Sequence, residues 1–426
     1  MTNRELNLIF LPDDLWMSIL ARLPLKCITT SKLVCKQWKS LVESEIFRGV
    51  FLSQQQNTSS SSWSLMWRER QIEFIAQYGC DIPRSLGSYV SSFLADMSQT
   101  QKESHKLFPP REKIKTVEVV AYTNVGLILI CVKSFSSDRN YYVANPLSQQ
   151  TVKIPPPFSP PLAGFKREKS FRPAGLATRI KHGVVVSGYK FVCLDTRKVN
   201  KGVLSFMIYS SETNSWSFKT VLSPIPLFGF NHRNPVSLNG EIYWTAPNEG
   251  GEDDLVGHDF YSESDQYNVI PFPELNLELV ERCNRACTIS QGFLMYMNII
   301  SREFLEELRE ENRLCVWKLE SHTADSGDWQ LVARVLIPDG FEYIPLTIHP
   351  FDAKIAYLWK REHHSLVSVD LKNDKFVIHK ELERRSDNVT IKSISYSGYE
   401  FPDPTDEIDK TYFSTFVLTP WLQRIP

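Results

Sequence analysis

Three short groupings in this 426-residue chain have side chains able to do chemistry. Cys283 and Cys287, in "CNRAC", stand four apart and could offer two thiolates to zinc, which takes four ligands in structural sites. No second ligand pair follows at a suitable spacing, so two thiols in or near a strand are the better reading, and no metal is expected. Asp253 and Asp254 supply two carboxylates, but glycoside hydrolysis needs its pair on opposite sides of a bond, and neighbours in an acidic loop lack that geometry. His363 and His364 are adjacent, and adjacent residues on a strand point to opposite faces, so a shared catalytic role is not expected. No Walker loop, dinucleotide fingerprint, nucleophile elbow or zincin helix occurs. The expectation is a non-catalytic chain without a cofactor.

The elements around these residues must then serve binding. Lys plus Arg (48) nearly balance Asp plus Glu (49), so no net field favours nucleic acid or an anionic membrane. The longest apolar run, "VGLILICV" from Val125, is far short of the roughly 20 residues a spanning helix needs. Eight cysteines are scattered and no charged-then-apolar leader precedes them, which points to reduced thiols in the nucleus or cytoplasm. For the same reason the sequon matches at Asn57 and Asn388 are read as chance. A composition 42% hydrophobic and 23% charged predicts a folded chain with a sizeable core.

The first such element is "LPDDLWMSILARLP", Leu11 to Pro24. At 100° per residue Leu15, Trp16, Ile19, Leu20 and Leu23 form one apolar stripe, with Ser18 and Arg22 opposite. Pro12 suits the first helical turn, Asp13 and Asp14 complement the positive helix end, and Pro24 stops the helix. A second helix is predicted from an N-cap at Thr29 or Thr30 through "SKLVCKQWKSLV", with Leu33, Val34, Trp38, Leu41 and Val42 on one side. About 40 residues bury too little surface to be stable alone, so the stripes need a cover, either the downstream domain or another protein.

"LPDDLWMSILARLPLKCITTSKLVCKQWKSLV" resembles an F-box in its plant form. The resemblance implies that the head docks the S-phase-kinase-associated adaptor of a cullin-based ubiquitin ligase, touching the cullin only indirectly. The adaptor-binding residues it implies are Leu11, Pro12, Leu15, Trp16, Ile19, Leu20, Leu23, Pro24, Ile28, Val34, Cys35 and Trp38. Thr30-Ser31 and Cys27 depart from the common pattern, where a basic residue followed by an aromatic, and a serine, are usual.

Low-complexity "SQQQNTSSSS" marks a joint, giving a head over 1–50, a linker over 51–62 and a third region over 63–426. In that region a four-strand unit recurs. Its clearest copy is "NPVSL", "EIYWTA", "LVGHDFYS" and "YNVIPFP", and four further copies follow the same order. An aromatic often opens the fourth strand: Trp216, Tyr267, Trp329 or Phe376. Four-stranded sheets about every 50 residues fit an all-β propeller, because radial closure removes exposed sheet edges. The repeats resemble the kelch-like propellers associated with plant F-box proteins. Leftover strands near both ends, "SWSLMW", "RQIEFIAQ", "VTIKSISYS" and "TYFSTFVLTPW", would share a closing blade, making six blades, with seven as the alternative.

Short links join first to second and third to fourth strands, whereas the other two classes are long and emerge together on one face. That face is expected to hold a protein target. Its candidate contacts are Phe165, Lys166, Arg167, Phe171, Phe230, His232, Arg233, Arg361 and His363. The function expected is the substrate-recognition subunit of the ligase. The competing reading is a propeller hydrolase or glycan-binding lectin with a helical cap.

Overall fold

The structure is a computed structural model that describes residues 11–23, 25–55, 63–67, 72–77, 90, 93–95, 114–134, 139–146, 150–157, 171–181, 185–195, 203–222, 231–247, 253–273, 284–300, 312–320, 328–337, 343–361, 365–379, 413–418 and 425–426.

Among the described residues the head has four helices: α1 (Asp13–Leu20), α2 (Leu25–Ser31), α3 (Lys36–Glu43) and α4 (Glu45–Gln55). The single helix expected from Thr29 or Thr30 to Val42 is therefore two. The hydroxyls of Thr30 and Ser31 do not cap a helix start. They donate back to the carbonyls of Cys27 (2.9 Å) and Ile28 (2.7 Å), closing the last turn of α2. Cys35 is extended and its Sγ accepts the Trp38 N–H at 3.4 Å, so the thiol occupies the cap position that starts α3. α4 was not anticipated and runs past residue 50. Ser44 Oγ accepts the Phe47 N–H at 3.1 Å, and Phe47 and Phe51, one turn apart, both enter the head's core.

Beyond the head the described chain is all strand apart from two short helical pieces at 90 and 93–95. Five four-stranded antiparallel sheets follow in chain order. They are β3–β6 (Ile114–Tyr122, Ile128–Ser134, Arg139–Asn145, Gln150–Lys153) and β7–β10 (Phe171–Lys181, Val185–Asp195, Val203–Ser210, Ser215–Leu222), then β11–β14 (Asn231–Leu238, Glu241–Pro247, Asp253–Asp259, Asn268–Pro271). The last two are β15–β18 (Asn284–Ser290, Phe293–Ile300, Arg313–Leu319, Trp329–Leu336) and β19–β22 (Tyr343–Ile348, Ile355–Lys360, Ser365–Asp370, Lys375–His379). A sixth sheet has three strands, ordered β2-β1-β23, from the two ends of the domain: β1 (Trp63–Trp67), β2 (Ile72–Gln77) and β23 (Phe413–Val417).

Apolar clusters join each sheet to the next. They bridge the first and second four-stranded sheets, the second and third, third and fourth, and fourth and fifth. Trp63, Leu65 and Phe413 then pack on Ile344 and Trp359 of the fifth, while Met66 and Phe416 pack on Ile128 and Ile130 of the first. The cycle is complete, and the fold is a β-propeller. Among the described residues it has five four-stranded blades, fewer than the six or seven expected, and the three-stranded sheet fills the gap between fifth and first. The segment "VTIKSISYS", read as a strand of a closing blade, lies outside the described residues.

Burial falls from second strand to fourth. β20 is buried at its four central residues, whereas β10 is open along most of its length. Two of the aromatics that open fourth strands tie blades together. Trp216 Nε1 donates to Pro155 O at 2.7 Å and Trp329 Nε1 to Pro271 O at 2.9 Å, each carbonyl lying at or just beyond the end of the preceding blade's fourth strand. Asn239-Gly240 and Gln291-Gly292 turn tightly from first to second strand with positive φ at both residues, a geometry glycine adopts without strain.

Candidate functional site

The helical head carries the candidate surface. α1 begins with Pro12, whose carbonyl accepts from Leu15 N (3.0 Å) and Trp16 N (3.2 Å), and Asp13 and Asp14 lie at the positive end of the helix. Gln37 Nε2 donates to Asp13 Oδ1 at 2.8 Å, and the rings of Trp16 and Trp38 meet at 4.9 Å. These two contacts set the first turns of α1 and α3 side by side.

The stripe read from periodicity is divided by tertiary packing. Leu20 is fully buried in a core formed by Ala21, Ile28, Val42, Phe47 and Phe51, with Met17, Leu23, Trp38 and Val50 packed on it. Leu15 and Ile19, one turn apart, are instead 50% and 47% exposed. The link between α2 and α3, expected to be helical, presents Leu33 at 87% and Val34 at 65% exposure. Since this link enters α3 beside Asp13, it lies at the end of α1 that carries Leu15. Leu15, Ile19, Leu33 and Val34 thus stand in water, although the head has a closed core of its own.

The candidate adaptor contacts sort accordingly. Pro12, Leu15, Ile19, Val34 and Cys35 are exposed, and Leu11, Trp16, Leu23 and Trp38 are half-buried. Leu20 and Ile28 are sealed in the head's core: periodicity assigns a face to a side chain but not what covers it. Pro24 lies outside the described residues. Ile46, on the first turn of α4 and 70% exposed, escaped the sequence reading together with its helix. The signal was present in "EIFRGVFL", where apolar residues recur at one-turn spacing after a serine.

On the propeller, Phe171 opens β7 and Arg361 follows β20, which places both at the end opposite the short first-to-second-strand turns. Arg361 is exposed, and Phe171 is half-buried with its ring edge toward Phe218 at 6.4 Å. His232 and Arg233 fall within β11, in the stretch between Asn231 and Val236 where its register with β12 shifts; their side chains lie outside the described residues. Phe165, Lys166, Arg167, Phe230 and His363 also lie outside them.

Among the described residues no group of three or more His, Cys, Asp or Glu is placed to hold a metal ion. Cys287 sits in β15, and Cys283 and the histidine pair are outside the described residues. Asp253-Asp254 opens β13 and is not a free loop; Asp254 is buried. Burial is the largest cause of the shifts at the buried thiols and histidines. It pushes the Cys131 thiol up to about 11, away from the reactive thiolate, and His258 down to about 4.

Comparison with known proteins gives two family matches. "F-box protein At3g26010-like, beta-propeller" spans residues 61–426, and the F-box domain spans residues 8–48. F-box protein At3g28330 of Arabidopsis thaliana is 41% identical over 433 residues, covering 99% of this chain and 98% of that protein. Arabidopsis F-box protein At1g49990 is 32% identical with 96% of each chain covered. The putative F-box/kelch-repeat protein At1g15680 of the same plant is 32% identical, covering 100% of this chain and 99% of the relative.

Proposed function

This chain belongs to the F-box proteins that carry an associated β-propeller, and from that premise we propose that it is the substrate-recognition subunit of an adaptor-cullin-F-box ubiquitin ligase. The head docks the S-phase-kinase-associated adaptor, the propeller holds a target protein, and other subunits carry out ubiquitin transfer. The chain itself does no bond chemistry. It acts by raising the effective concentration of the target's lysines near a charged conjugating enzyme.

One observation carries this reading: Leu15, Ile19, Leu33 and Val34 remain exposed on a head whose core is already closed by Leu20, Ile28, Val42 and Phe47. Apolar side chains left over after a module has packed its own interior are what a partner surface uses. We assign Leu11, Pro12, Leu15, Trp16, Ile19, Leu23, Val34, Cys35 and Trp38 to the adaptor interface, and add Leu33. The target is assigned to the end of the propeller that carries Phe171 and Arg361. We assign the chain to a reducing compartment, nucleus or cytoplasm, where scattered cysteines stay as thiols.

Capture of the adaptor by the full-length chain tests the proposal. The wild-type chain co-purifies with it, and Leu15→Asp with Ile19→Asp together weaken capture at least about tenfold. Undiminished capture by a double variant that keeps its helical signal would overturn the assignment.

A further inference from the structure

The exposed residues assigned to the adaptor fall on two separate runs of chain. Pro12, Leu15 and Ile19 belong to α1 and its cap, whereas Leu33, Val34 and Cys35 form the link that enters α3. A partner that uses both runs gains affinity when they are held at a fixed offset before it arrives, because the ordering is then not lost on binding. Whatever fixes that offset serves the interface without having to touch the partner.

A ring contact and a hydrogen bond join the two runs. The rings of Trp16 and Trp38 meet at 4.9 Å with their planes tilted by 59°. Apolar contact is largely non-directional, so it brings α1 and α3 together without fixing how one slides along the other. The hydrogen bond is directional. Gln37 Nε2 donates to Asp13 Oδ1 at 2.8 Å, and the charge of the carboxylate strengthens it. Asp13 lies between Pro12 and Leu15 in the first turn of α1, and Gln37 between Cys35 and Trp38 in the first turn of α3. That turn of α3 is lightly held by its own cap, since the acceptor of the Trp38 N–H is the sulfur of Cys35 at 3.4 Å, and sulfur accepts weakly.

We propose that Gln37 is a positioning residue for adaptor docking: through Asp13 it holds Leu33, Val34 and Cys35 in place against α1, and it does so without touching the adaptor. The inference rests on the ligase-subunit reading. Neither Asp13 nor Gln37 is apolar, and a pair 24 residues apart leaves no mark in the periodicity, so neither stood among the candidate contacts.

Calorimetric titration of the full-length chain with purified S-phase-kinase-associated adaptor tests it, with the far-ultraviolet helical signal recorded for each variant. Gln37→Glu sets two carboxylates against each other and should weaken binding about threefold to fivefold while the helical signal stays unchanged. Asp13→Asn keeps an amide oxygen that accepts from Gln37, so it completes the cycle with a smaller loss. The double variant, Asp13→Asn with Gln37→Glu, exchanges carboxylate and amide at unchanged side-chain lengths. It restores a donor opposite a carboxylate and should bind within about twofold of wild type. Equal affinity of wild type and Gln37→Glu would overturn the inference. So would a double variant as weak as Gln37→Glu, which would mean that Gln37 meets the adaptor directly. A wild-type chain that does not bind the adaptor would overturn the ligase-subunit reading, and this inference with it.

Discussion

The indole N–H of Trp63 donates to Nε2 of His349 at 3.0 Å, joining side chains 286 residues apart, both buried. Trp63 opens the three-stranded sheet built from the chain's two ends, and His349 follows the inner strand of the last four-stranded blade. The bond lies at one of the two seams where the ring closes. Trp63→Phe keeps most of the ring's bulk and removes the donor, so it should cost about 1–3 kcal/mol, the range for an unmet buried polar group. Urea unfolding of the two proteins measures this; equal midpoints would show that the bond does not help close the ring.

Acceptance at Nε2 requires a neutral imidazole with that nitrogen unprotonated, and burial lowers the His349 pKa below its usual 6.5 although Asp352 pulls the other way. His258 is lowered further, to about 4, by burial and then by Lys219, against its bond to the Gln266 carbonyl and the charges of Asp259 and Asp265. Between those values the unfolded chain binds protons that the folded chain refuses. Stability should therefore be unaffected by these groups above pH 6.5 and fall as the pH drops, by roughly 2 kcal/mol at pH 5 from His258 alone. His258→Asn keeps a donor for Gln266 and should flatten the decline. Urea midpoints at pH 8, 6.5 and 5 decide it, and a midpoint that rises on acidification would contradict the assignment.

Leu20 and Leu15 stand five residues apart on α1 with opposite roles, one sealed in the head's core and one half in water. Leu20→Ala should cost about 2–5 kcal/mol of head stability, whereas Leu15→Ala should stay within about 0.5 kcal/mol. Limited proteolysis of the head, followed by mass spectrometry, reads the difference. Comparable protection of the two variants would mean that the division of the stripe is wrong.

Trp216 and Trp329 tie their blades to the preceding ones through the carbonyls of Pro155 and Pro271. Replacing either with Phe should lower stability by about 1 kcal/mol, and the double variant by about the sum, since distant sites without shared partners add. Denaturant unfolding of both single variants and the double variant checks the sum. A double variant no worse than either single would show that the two seams do not act independently.

The amino-acid sequence determined by itself what depends on local order: α1 with its acidic first turn, the four-strand units, the Asn239-Gly240 turn and the aromatics that open fourth strands. Each rests on a 3.6 or 2 residue period, or on a turn that few residues can make. Only the tertiary structure decided which apolar residues are spent inside the head, because Leu20 and Ile28 look the same as Leu15 and Val34 until α4 packs against them. The same holds for the closing sheet, whose β1 and β23 come from opposite ends of the domain. Contacts between residues far apart in the chain leave no period to read, so packing alone selects them.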